Sequence, residues 1–160
     1  MTHSKRQWFD AVPWESVVTL NKALCQGQKM DPLTNAKTFE SARGFWQKSV
    51  ARNMTLDEAC EICHKCHELA PFTFNNGNTF AAIGVTFVEE DLKLMPPVEA
   101  QIIRTTIGHY IVGLIGRREL QQVLRHFEPL WNAGSRAGKD AAAASASAST
   151  LRPQEQRSPA

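Results

Sequence analysis

Thr55-Leu56-Asp57-Glu58-Ala59-Cys60-Glu61-Ile62-Cys63-His64-Lys65-Cys66-His67-Glu68-Leu69-Ala70, wound at about 100° per residue, divides into two faces. Leu56, Ala59, Cys60, Ile62, Cys63, Cys66, His67, Leu69 and Ala70 gather on one side. Asp57, Glu58, Glu61, Lys65 and Glu68 gather on the other, with His64 at the border. So complete a separation predicts an amphipathic helix that turns its thiols inward. Thr55 to Glu58 has the form of a capping box, which starts the helix by satisfying two of its free backbone N–H groups. Pro71 ends it, because the residue before a proline is pushed out of the helical region.

Three of the four cysteines and two of the five histidines lie in residues 60–67. Free cysteine behaves as a small hydrophobe and is among the most often buried residues, so close packing of another helix is the simpler reading. A metal is the sharper one. Cys60 with His64, and Cys63 with His67, are i,i+4 pairs, and side chains so spaced overhang the same turn. Zinc fits these ligand types best, with His109, Cys25 or His126 as candidates for the remaining positions. A second separated Cys-x-x-Cys or His-x-x-x-His pair is missing. Cys60-x-x-Cys63-His64 also matches the attachment pattern of c-type haem, but no export signal accompanies it. A thiol–disulfide exchange site would sit at a helix N-terminus, whereas this pair lies a turn or more inside.

On either side of this segment, the chain up to Asn132 reads as helix after helix. Pro13 suits a first helical turn, with Trp14, Val17, Val18 and Leu24 at helical spacing up to Cys25. A second helix is expected over 36–52, with Phe39, Ala42, Trp46 and Val50 on one stripe. After Asn75-Asn76-Gly77-Asn78, with Asn78 as N-cap, a fourth helix is expected over 79–94, where Gly84 permits close approach of a neighbour. Pro96-Pro97 precedes a helix over 98–115 that stops at Gly116, although the β-branched residues within 110–115 are also compatible with a strand. A last helix is expected from Arg117 to Phe127, before Pro129.

From Ala133 the composition shifts to alanine, serine and glycine. Such a stretch buries too little apolar surface to offset an ordering cost of about 1–2 kcal/mol per residue, so 133–160 is expected to be a flexible tail. The formal net charge is +2, too small to point to nucleic acid or an anionic membrane. No run approaches the roughly 20 apolar residues of a membrane span, and the N-terminus lacks a secretory apolar segment. A reducing, cytoplasmic setting is expected, with the cysteines as thiols or metal ligands.

Two further constellations carry chemistry. Glu89-Glu90-Asp91 is an acidic run that can hold a hard cation, or can simply be a solvated helix end. Arg117, Gln121 and Arg125, with Arg118, are spaced along one helix, and arginine and glutamine read purines well. The plain fit of Leu120, Val123, Leu124 and Phe127 to a core stripe favours an ordinary exposed basic face. No phosphate loop, dinucleotide fingerprint or nucleophile elbow occurs.

The expectation is a single all-α domain at 1–132, its core about 8–132, built of five or six short helices with a disordered tail over 133–160. The leading functional expectation is a non-catalytic binding or regulatory protein that contacts another protein or itself. The alternatives are a metal- or thiol-dependent protein using Cys60, Cys63, His64 and His67, and a small DNA-binding regulator using Arg117, Arg118, Gln121 and Arg125.

Overall fold

The capping box forms as the sequence predicts: the Glu58 carboxylate accepts the Thr55 backbone N–H at 2.8 Å. In the computed structural model, which describes residues 4–149, it opens the third of seven helices. These are α1 (Trp14–Gly27), α2 (Phe39–Val50), α3 (Leu56–Leu69), α4 (Asn76–Thr86), α5 (Glu89–Leu92), α6 (Pro97–Ile111) and α7 (Arg117–Ser149). The all-α class holds, and no strand occurs among the described residues; two isolated bridges pair Arg6 with Met54 and Thr34 with Phe72.

The cysteine helix α3 is central, packed against α2, α4, α6 and α7, and α4 lies against α1, α3, α5 and α6. The segment before α1 closes one end of the core. Trp8 donates its indole N–H to the Met54 carbonyl at 2.7 Å, and Trp46 donates to the Val12 carbonyl at 2.9 Å. Phe9 meets Trp46 edge-on with centroids 4.5 Å apart, and Trp14 stacks on Phe72. Such aromatics bury about 150–250 Å² each and carry much of the apolar stabilisation. Gly84 plays its expected part: a Cβ there would overlap Ile111 Cδ1, so α4 and α6 approach more closely than alanine allows.

Several boundaries differ from expectation, each for a local reason. The fourth helix begins at Asn76, with Asn75 rather than Asn78 as its N-cap. The Asn76 amide donates to the Phe72 carbonyl and accepts the Phe72 N–H, which organises the turn early. The helix also stops at Thr86 and resumes as α5, so among the described residues seven helices replace five or six. At the break Phe87 packs on Trp8 and Phe9, and its neighbour Val88 is fully buried.

The expected helix over 98–115 ends at Ile111, because Gly113 rather than Gly116 is the stop. Gly113 has φ +79°, and the Leu114 N–H returns to the His109 carbonyl at 2.8 Å. The strand alternative for 110–115 falls with it. Gly116 instead precedes α7, its carbonyl accepting from the backbone N–H groups of Glu119 and Leu120.

The last helix does not stop at Phe127. It continues through Pro129 to Ser149, about 50 Å in all. A proline inside a helix costs about 3 kcal/mol. Packing beyond the proline offsets that cost: Trp131 and Ser135 are buried, and Gly134 and Gly138 bring the helix onto Leu94. The expected flexible stretch is therefore helical over 133–149, and the remainder, 150–160, lies outside the described residues.

Candidate functional site

The inward turn of α3 is realised in full. Cys60, Cys63 and Cys66 are all 0% exposed within the core, and so is Cys25 of α1. Burial pushes the Cys60 and Cys63 thiols well up and the Cys66 thiol up to about 12. Nucleophilic attack uses the thiolate, which this setting disfavours.

The two histidines of α3 work against backbone. His64 donates its Nδ1–H to the Ile111 carbonyl at 2.9 Å, serving one of the acceptors left open at the end of α6. Its Nε2 lies 3.5 Å from Glu68. His67 faces the first turn of α4, where a Cβ on Gly77 would stand 3.6 Å from its Cε1. Its Nδ1 is buried with no hydrogen-bond partner among the described residues. Burial, helped by the nearby His64, lowers its pKa from the ordinary value.

The additional ligand candidates are dispersed in role. Cys25 contacts Asn21 and Asn75, while His109 and His126 are exposed on α6 and α7. Among the described residues, no group of three or more histidine, cysteine, aspartate or glutamate side chains is placed to hold a metal ion.

The polar arc of α3 meets the start of α7. Asp57 accepts from Arg117 at 2.9 Å and from Gln121 at 2.8 Å, and it also holds the Thr55 hydroxyl. Burial alone would raise the Asp57 carboxyl; the hydrogen bonds from Thr55, Gln121 and Arg117 outweigh it and bring it down to about 2. One turn on, Tyr110 donates its hydroxyl to Glu61, which also pairs with Lys65 at 3.4 Å. The acidic run is neutralised in the same manner: Glu89 pairs with Arg104, Glu90 with Lys93 and Asp91 with Arg6.

The chain matches no family model, no curated protein and no solved structure. Its functional geometry therefore rests on its own residues. Of the four basic and amide side chains singled out on the last helix, Arg117 and Gln121 are held by Asp57, whereas Arg118 and Arg125 are exposed. The continuation of α7 adds two exposed cations that the sequence placed in a tail, Arg136 and Lys139. Their helical spacing from Arg125 was visible, but Pro129 and the alanine-rich composition concealed it.

No helix among the described residues is long and apolar enough to cross a membrane.

Proposed function

We propose that this chain is a non-catalytic, cytoplasmic helical protein that acts through contacts with another protein, and that α7 is the element it presents. The observation that carries this reading is the overrun of α7: every residue from Lys139 to Ala146 is exposed, after a stretch in which Leu120, Leu124, Trp131 and Ser135 are buried. A partner packed along this exposed length would stabilise it, because most helical stability in proteins comes from tertiary packing. The residues with most chemical potential point the other way, since the thiols lie in the core and the carboxylates of α3 and α5 bind groups of this same chain.

A photo-crosslinking amino acid placed in living cells tests this at Gln122, Ala137 and Ala141 on α7, with Glu40 on α2 as the control surface. The expected result is a discrete polypeptide adduct from the α7 positions and none from Glu40. An adduct of twice the chain mass would identify a second copy. Absence of any polypeptide adduct from all four positions would overturn the reading.

A further inference from the structure

Of the five arginines before Arg118, Arg52 is exposed without an ion pair among the described residues, and each of the others has a carboxylate partner within the chain: Arg6 with Asp91, Arg43 with Glu40, Arg104 with Glu89 and Arg117 with Asp57. The outer face of α7 gathers several exposed cations along one helix. Arg118, Arg125, Arg136 and Lys139 are all exposed, and none of them makes an ion pair among the described residues. At about 100° per residue, Arg118, Arg125 and Arg136 fall within about 20° of one line along α7, with Lys139 about 60° to one side. They are separated along the axis by about 10 Å and then about 16 Å. Pro129, also exposed, lies on the same line between the second and the third. No aspartate or glutamate shares that line between Arg118 and Arg136; Glu119 and Glu128 lie well round to either side.

Resting on the reading of α7 as the presented element, we infer that its outer face is a docking surface for an acidic amphipathic helix of a partner protein, aligned antiparallel and carrying carboxylates at i, i+11 and i+18. Charge complementarity selects an anionic partner, because Arg118, Arg125 and Arg136 lie along one line with no acidic residue on it between them. The single-file arrangement, at spacings of 7 and 11 residues that are close to whole numbers of helical turns, matches carboxylates on one face of a second helix. Against a nucleic acid, Gln121, the amide suited to reading bases, is held by Asp57. The antiparallel direction sets the two helix dipoles in their favourable arrangement and reverses the order of the spacings. Exposed ion pairs contribute little individually, so the stripe acts through encounter rate and register.

The test uses the full chain and three fluorescent probes read by anisotropy at low and high salt. One is a 24-residue alanine-based helical peptide with glutamate at i, i+11 and i+18; the second has the same composition with its glutamates moved to other faces; the third is a 20-base-pair DNA duplex. The matched peptide is expected to bind at least tenfold more tightly than the displaced one, and more tightly than the duplex. The triple variant R118E/R125E/R136E is expected to lose that binding tenfold or more with its circular dichroism and melting temperature unchanged. A peptide with lysine at the three positions should bind the variant and not the parent. Equal binding of matched and displaced peptides, tighter binding of the duplex, or no saturable binding of the matched peptide would each overturn the inference. Polypeptide adducts at Gln122 alongside any of these results would leave the broader protein-contact reading standing, so the two fail separately.

Discussion

Asp57 on α3 and Arg117 at the start of α7 are 60 residues apart in sequence, yet the carboxylate accepts two guanidinium N–H groups at 2.9 and 3.2 Å. With Gln121 on the same oxygen, this contact fixes where α7 leaves the body. It has a definite pH signature. The folded pKa of about 2 lies below the ordinary 3.8, so the unfolded chain takes up the proton first. The stabilisation is complete above 3.8 and is lost as pH falls through about 2. Asp57→Asn should remove about 1–2 kcal/mol at neutral pH, after allowance for solvent screening, and should flatten the acid limb of the stability curve. Urea unfolding between pH 7 and pH 2 checks both.

His67 should give a second, separate pH dependence. Its folded pKa lies below the ordinary 6.5, because burial and His64 oppose the charged form. The fold favours neutral imidazole. Its stabilisation is whole above 6.5 and declines as pH falls through the lowered value. The N-terminal end of α4 adds to the same bias, since a helix N-terminus repels a cation. A melting-temperature series from pH 7.5 to pH 5 should therefore slope downward in the parent, and His67→Gln should reduce the slope. An equal slope in both would rule His67 out as the source.

All four thiols should be inert in the native state. Each is fully buried, and the three of α3 also sit in a setting that keeps them protonated. Ellman's reagent should label the protein no faster than it unfolds, and should count four thiols in denaturant. Cys63→Ser should cost about 1–3 kcal/mol, through a polar hydroxyl placed where a thiol packs as a small hydrophobe, and Cys63→Ala somewhat less. Rapid native labelling of any of the three would contradict the packing role.

Two glycines should respond differently to alanine. At Gly84 the new Cβ runs into Ile111 Cδ1, the tip of a flexible side chain. Gly84→Ala should cost about 1–2 kcal/mol, an overpacking loss partly offset by helix propensity, and trimming the obstacle with Ile111→Val should recover part of it. At Gly134 the new Cβ meets the Leu94 carbonyl oxygen at 2.6 Å, and backbone does not step aside. Gly134→Ala should be the more damaging and should loosen α7 beyond Trp131. Denaturant midpoints for the three variants, with proteolysis of the C-terminal half of α7 for Gly134→Ala, check the order.

How much of the fold could be read in advance depends on the element. The faces of α3 were legible because a period of 3.6 leaves its mark on the order of residues, and the capping box is a contact between residues three apart. The same holds for the inward stripe of α2 through Ala42 and Trp46. The end of α6 was misplaced by a few residues because Gly113 and Gly116 are equally good stops by composition. The contact of His64, which reaches the Ile111 carbonyl from another helix, is supplied by the fold and not by the local sequence.

The order of residues along the chain was enough to establish that this protein is helical, that its thiols face inward, and roughly where most of its helices begin, since all of these follow from local periodicity and capping. The length of α7, the capture of Arg117 and Gln121 by Asp57, and the exposure of Arg118, Arg125, Arg136 and Lys139 depend on contacts between elements distant in sequence. Leu94 and the buried Trp131 carry α7 past a proline that local rules would take as its end, and a basic face exists along that length because burial on the opposite side holds the helix together.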